Sequence, residues 1–156
     1  MITSKDLEGL FQEPIQLELF EGVEDGTPKT PQQMVQEYHD TARLPSGVDI
    51  SKEAGTDLIS LRANLITEEF KEFIEEFVKN PGDIDAVATL KELADIVYTC
   101  YGCAVSFGWD LDMAVEKVHE NNMGRMRQDD GSIHYREDGK VLKNPNYPKV
   151  TLEDCV

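Results

Sequence analysis

Two short acidic segments, Glu68-Glu69-Phe70-Lys71-Glu72 and Glu92-Leu93-Ala94-Asp95, carry the residue types and spacing that could do chemistry. In each, two carboxylates stand three positions apart, which on a helix puts them one turn apart on one face. Placed on a wheel at about 100° per residue, Glu69 projects between Leu65 and Ile66, Glu72 between Leu61 and Leu65, and Glu76 beside Leu58. All three fall inside the apolar arc, whereas Glu68 and Glu75 lie at its edge. A solvated face supported by pairs such as Lys71 with Glu75 accounts for Glu75. It does not account for acids directed inward, since a carboxylate facing a core costs on the order of several kcal/mol unless a cation or hydrogen bonds compensate. Ala88, Thr99 and Gly102 share the side of Glu92 and Asp95, and their small side chains leave room for ions and phosphate.

Two helices of this kind can bring Glu69, Glu72, Glu92 and Asp95 together across an antiparallel interface about 8 to 10 Å wide between axes. Hard, all-oxygen ligation suits Mg²⁺, with Mn²⁺ as a substitute. A di-iron site would supply Glu-x-x-His on paired helices, whereas the partners here are Glu72 and Asp95. An EF-hand reading aligned on Gly131 puts Met126 and Gln128 where its first ligands belong. The sequence holds no Walker-type glycine loop, G-x-S-x-G elbow or HExxH. The residues alone leave two readings open: metal-dependent phosphate chemistry, or an acidic helical protein that binds divalent cations without catalysis.

The elements that must position these acids read as all-α, an antiparallel four-helix bundle-like core. A helix is predicted from Pro31 to Ala42 with Thr30 as N-cap, and a second from about Thr56 to Lys79, where Leu58, Leu61, Leu65, Phe70, Phe73 and Phe77 recur at helical spacing. A third runs from about Ile84 to Phe107 with Asp83 as N-cap; its second half is apolar nearly all round and is expected to be central. Gly108 stops it and Asp110 caps a fourth, whose apolar side is Met113, Ala114, Val115, Val118 and Met123. A short C-terminal hairpin follows, with Asp138-Gly139 turning between Ile133-His134-Tyr135 and Val141-Leu142. Residues 1–30 read as an N-terminal arm and 31–156 as the domain. Tyr98 and Tyr101 read as core, and His39 as a packed or surface histidine.

The chain has 156 residues and a formal net charge of -16. That balance argues against nucleic-acid binding, which rests on phosphate neutralisation by Lys and Arg. It also means that an enzyme acting on nucleotides must set cations between its carboxylates and the phosphates. Three cysteines, Cys100, Cys103 and Cys155, read as reduced thiols. The first residues lack an apolar leader pattern and the run Leu93 to Trp109 contains Asp95, so no membrane partner and a cytoplasmic location are expected.

With these residues in view, the sequence resembles the MazG-like family of all-α nucleoside triphosphate pyrophosphohydrolases, whose pattern is EExxE followed by ExxD on adjacent helices. The likeness continues through Val118-His119-Glu120-Asn121-Asn122-Met123-Gly124-Arg125 and Asp138-Gly139-Lys140-Val141-Leu142-Lys143, covering roughly residues 31–150. Arg125 stands where many members carry Lys, which changes phosphate contact from a point charge to a fork. The resemblance implies Mg²⁺-dependent hydrolysis of a nucleoside or deoxynucleoside triphosphate to the monophosphate and pyrophosphate. It implies Glu69, Glu72, Glu92 and Asp95 as metal ligands, with Glu68 binding a further metal or deprotonating the attacking water. Asn122, Arg125, Lys140 and Lys143 then become the donors for phosphate or sugar oxygens. A related family, phosphoribosyl-ATP pyrophosphohydrolase, carries the same kind of acidic helices and is the alternative. Family members are similar in forming dimers or tetramers, so a homodimer or homotetramer is expected.

Overall fold

The computed structural model describes residues 27–80 and 82–156 of the chain, so the expected N-terminal arm lies almost wholly outside the described residues. Among these the chain is all-α, with helices α1 Pro31–Ala42, α2 Glu53–Phe77, α3 Ala86–Phe107 and α4 Leu111–Arg125. A two-stranded antiparallel ribbon follows, β1 His134–Tyr135 and β2 Val141–Leu142, with His134 opposite Leu142, and then a 3-10 turn Glu153–Cys155. None of these helices is long and apolar enough to cross a membrane.

Local chemistry sets the ends. Thr30 and Gln33 close a reciprocal capping box: the Gln33 amide N–H donates to Thr30 Oγ1 at 3.3 Å and the Thr30 amide N–H donates to Gln33 Oε1 at 2.9 Å. Pro31 takes the first helical position, where its missing N–H is of no consequence. Gly108, at φ 73, ends α3 in the left-handed region open to glycine. Asp110 then caps α4 by accepting from the Met113 amide at 2.8 Å. Gln32 of α1 ties that junction together, accepting from the Leu111 amide at 2.6 Å and donating to the Trp109 carbonyl at 2.9 Å. Two boundaries differ from expectation. α2 starts at Glu53 rather than Thr56, and α3 is capped by Asp85, whose Oδ1 accepts from the Val87 amide at 2.8 Å. Asp83 is drawn instead into the preceding turn, its amide donating to the Asn80 carbonyl at 2.8 Å.

α2 and α3 form the most extensive helix pair, and α1 packs on another side of α3. The α2–α3 pair is antiparallel: Arg62 lies beside Gly102, and Glu69, further along α2, lies beside Asp95 and Glu92, earlier on α3. Val35, Tyr101 and Val105 form the packed centre with Leu111 against it. α3 is central only over its last two turns, from Tyr101 to Phe107. Towards its N-terminus Val87, Leu90 and Val97 are 79%, 66% and 48% exposed. The reason is length: the 12-residue α1 covers the α3 stripe at Tyr101 and Val105 but stops short of its continuation through Val97, Ala94, Leu90 and Val87. α4 likewise has no buried residue.

A buried cation sits where α1, α2 and α3 meet. Arg62 is 7% exposed and has no carboxylate within ion-pair distance among the described residues; its Nη2 lies 3.3 Å from Nε2 of the buried His39, and its Nε has no partner. The Pro45 carbonyl, 3.0 Å from His39 Nδ1, fixes the proton there and leaves Nε2 as an acceptor. Burial, with the Arg62 charge adding to it, holds the His39 pKa below its ordinary 6.5, against the opposing pull of Pro45 and Asp40. Below pH 6.5 the unfolded chain therefore takes up a proton that the native chain refuses. The His39 contribution to stability is expected to be flat above pH 6.5 and to fall beneath it, by at most about 1.4 kcal/mol per pH unit for one proton. Urea midpoints measured across that range check this, with His39→Gln expected to flatten the slope.

Candidate functional site

The seam between α2 and α3 carries three carboxylates that converge. One oxygen each from Glu69, Glu92 and Asp95 lies within 4.8 Å of the others. All three are half-buried, the Glu92 side chain 13% and the Asp95 side chain 38% exposed. Both come from α3 at i and i+3, and Glu69 faces them from α2 because it sits seven positions beyond Arg62 on the same face. Burial first, then the charges of Asp95, Glu72 and Glu92, hold the Glu69 carboxyl above the usual carboxylate range, with Lys91 opposing. Three hard oxygens gathered at this spacing form a donor set that can converge on one divalent cation.

Lys91, to which the sequence reading gave no role, lies across this cluster. Its Nζ donates to Glu92 Oε1 and Oε2 at 3.2 and 3.1 Å and pairs with Asp95 Oδ2 at 2.9 Å. These bonds, those to Asp95 first, raise the Lys91 pKa. The signal was present in the sequence, since Lys91 precedes Glu92 directly and stands one helical turn before Asp95.

The other acids take different positions. Glu72, expected to face inward, is exposed and outside the converging trio, although its charge still acts on Glu69. Glu68 is exposed beside Glu69. The apolar arc in which the wheel sets Glu72 is itself uncovered at this end of α2, where Phe70 and Phe77 are more than half exposed.

The expected phosphate donors collect elsewhere. Lys143 Nζ donates to Asn122 Oδ1 at 2.8 Å, joining the tail to α4. Arg125 is half-buried with its Nε enclosed and unpartnered, and its carbonyl accepts from the Asn144 amide at 2.7 Å. Lys140 is exposed in the ribbon turn, its amide donating to Asp138 Oδ1 at 3.2 Å. The buried Asn144 builds this region by donating to the Arg127 carbonyl at 3.1 Å and to Asp129 Oδ1 at 2.8 Å. Gly124 permits the tail to dock, because a Cβ there would stand 2.2 Å from the Tyr147 ring. α4 packs against α1 and the C-terminal turn and makes no extensive contact with α2 or α3. The acidic trio and the Asn122–Lys143 group are therefore carried by elements that one copy of the chain does not pack together.

The sequence pattern of one protein family, described as phosphoribosyl-ATP pyrophosphohydrolase, matches residues 30–122, more than half of the chain. It spans the acidic trio and Asn122, and ends before Arg125, Lys140 and Lys143. No curated protein matches the chain.

Proposed function

The chain belongs to the phosphoribosyl-ATP pyrophosphohydrolase family, within the MazG-like all-α superfamily, and is a pyrophosphohydrolase of a nucleotide-like substrate; from that premise we propose that it hydrolyses the α–β phosphoanhydride of a nucleoside triphosphate in a Mg²⁺-dependent reaction. The observation that carries this reading is the convergence of Glu69, Glu92 and Asp95 within 4.8 Å. Water adds across the anhydride, one proton leaves, and the products are the monophosphate and pyrophosphate.

Glu69, Glu92 and Asp95 hold the cation, and Glu72, one turn beyond Glu69, joins them or a second ion. Mg²⁺, with Mn²⁺ as a substitute, supplies charge neutralisation at the triphosphate and lowers the pKa of water in the site. Glu68, exposed beside Glu69, accepts the proton of the attacking water. Asn122, Arg125, Lys140 and Lys143 donate to phosphate oxygens that the carboxylates would repel. Because α4 does not pack along α2 and α3, these donors come to the acids from a second copy, and the enzyme works as a homodimer or homotetramer. The uncovered apolar stripe of α3 supports this assembly.

A second reading, hydrolysis of phosphoribosyl-ATP itself, is favoured by the family match over residues 30–122. Pyrophosphate release from phosphoribosyl-ATP and from each common dNTP and NTP, measured side by side with Mg²⁺, separates the two. The proposal expects turnover of plain triphosphates. Turnover confined to phosphoribosyl-ATP selects the second reading, and release from neither class overturns both.

A further inference from the structure

We propose that Lys91 is a resident counter-cation of the acidic trio, which a divalent metal must displace and which then turns to the substrate's phosphate oxygens. The inference rests on the metal-dependent reading above and adds to it a residue that chooses between two states of the site.

The geometry has three parts. Lys91 Nζ is almost equidistant from both Glu92 oxygens, 3.2 and 3.1 Å, and stands 2.9 Å from Asp95 Oδ2. It therefore occupies the space between the two α3 carboxylates that a cation shared by them would need. Glu69, the third member, receives no hydrogen bond from it, so one ammonium charge compensates two carboxylates and leaves the trio short. A divalent ion converging on all three oxygens satisfies what Lys91 cannot. Finally, the Lys91 side chain is 61% exposed on a four-carbon stem, so release costs little burial and leaves the ammonium within reach of a ligand lying on the same metal.

The exchange has a consequence for affinity in each direction. Without the ammonium the acids repel one another in the metal-free protein, and the incoming ion has no competitor. Removing Lys91 should therefore tighten metal binding while weakening the hold on phosphate. Exposed ion pairs are weak, and the loss of two of them sets the expected change at about three- to tenfold.

Calorimetric titration of the full chain with Mn²⁺ alone, without nucleotide, tests the first half. Lys91→Gln is expected to bind Mn²⁺ about three- to tenfold more tightly than the native chain. Lys52→Gln removes the same charge from a residue paired, among the described residues, with Asp49 alone, and should leave the Mn²⁺ affinity unchanged. Kinetics at saturating metal test the second half: Lys91→Gln should raise KM for the triphosphate at least about threefold, with kcat within about twofold. Equal tightening in both variants shows a general charge effect and overturns the proposal. Unchanged or weaker Mn²⁺ binding in Lys91→Gln, with tight binding by the native chain, overturns it while leaving the metal reading intact. Absence of Mn²⁺ binding by the native chain overturns both together.

Discussion

Asp95→Asn is expected to lower turnover by roughly 10²- to 10³-fold or more, and Glu69→Gln to do the same, while neither variant loses its fold. Each substitution removes one of three converging oxygen charges at nearly constant volume, so the cation loses a ligand; Glu69→Gln takes only a repulsion from the helices, and Asp95→Asn takes with it the exposed pair to Lys91. The sign of the stability change follows from Glu69. Its carboxyl is held above the usual range by burial and by its acidic neighbours. The native chain is therefore most favoured below the ordinary 4.5, and that advantage is lost as the pH rises through the raised native value. At neutral pH the Glu69 charge is a cost to the metal-free fold, and glutamine removes it. Thermal unfolding in EDTA should thus show Glu69→Gln as stable as the native chain or more so. Adding Mg²⁺ should raise the midpoint of the native chain by mass action and leave both variants where they were. Full turnover in both variants would remove the trio from the chemistry.

How far the sequence reaches depends on whether a feature is decided locally. α1 is legible to its bounds because Thr30, Pro31 and Gln33 together specify its first turn. The Asp110 cap, the Gly108 stop and the ribbon around Asp138-Gly139 are legible for the same reason. The start of α3 is not, because Asp83 and Asp85 are equally competent caps and the turn at Asn80 decides between them. A helical wheel gives the direction of a side chain relative to its apolar neighbours, but not whether another element lies in that direction. Glu69 is half-buried in the α2–α3 seam and Glu72, one turn on, is exposed, although both fall within the same arc. Lys91 shows the converse limit. Its sequence neighbours Glu92 and Asp95 are already within its reach on α3, and only the approach of α2, which brings Glu69, turns those acids into a converging trio.

Leu90→Glu is expected to separate the proposed assembly into single chains, weakening association by about 10²-fold or more, and to remove activity without unfolding the protein. Leu90 is 66% exposed in the single chain, so its own copy loses little when the side chain becomes polar. Yet it lies in the middle of a stripe, Val87, Leu90, Ala94 and Val97, whose continuation at Tyr101 and Val105 is the packed centre beneath α1. Spacings of three and four along that stripe are those that a second helix packs against. In a chain of net charge -16, copies repel at long range, so the proposed association would rest on a face with little charge of its own. A glutamate at its centre would be buried without a cation, which costs far more than the leucine contributes to the monomer. Sedimentation equilibrium gives the mass, circular dichroism shows that the helices persist, and pyrophosphate release reports the joint loss of activity. That loss is expected because Asn122, and Lys143 bonded to it, go with α4, which makes no extensive contact with α2 or α3 of its own copy. A native chain that sediments as a monomer and still turns over would place all the donors within one copy, and the tail would then have to fold across the α2–α3 seam to meet the phosphates.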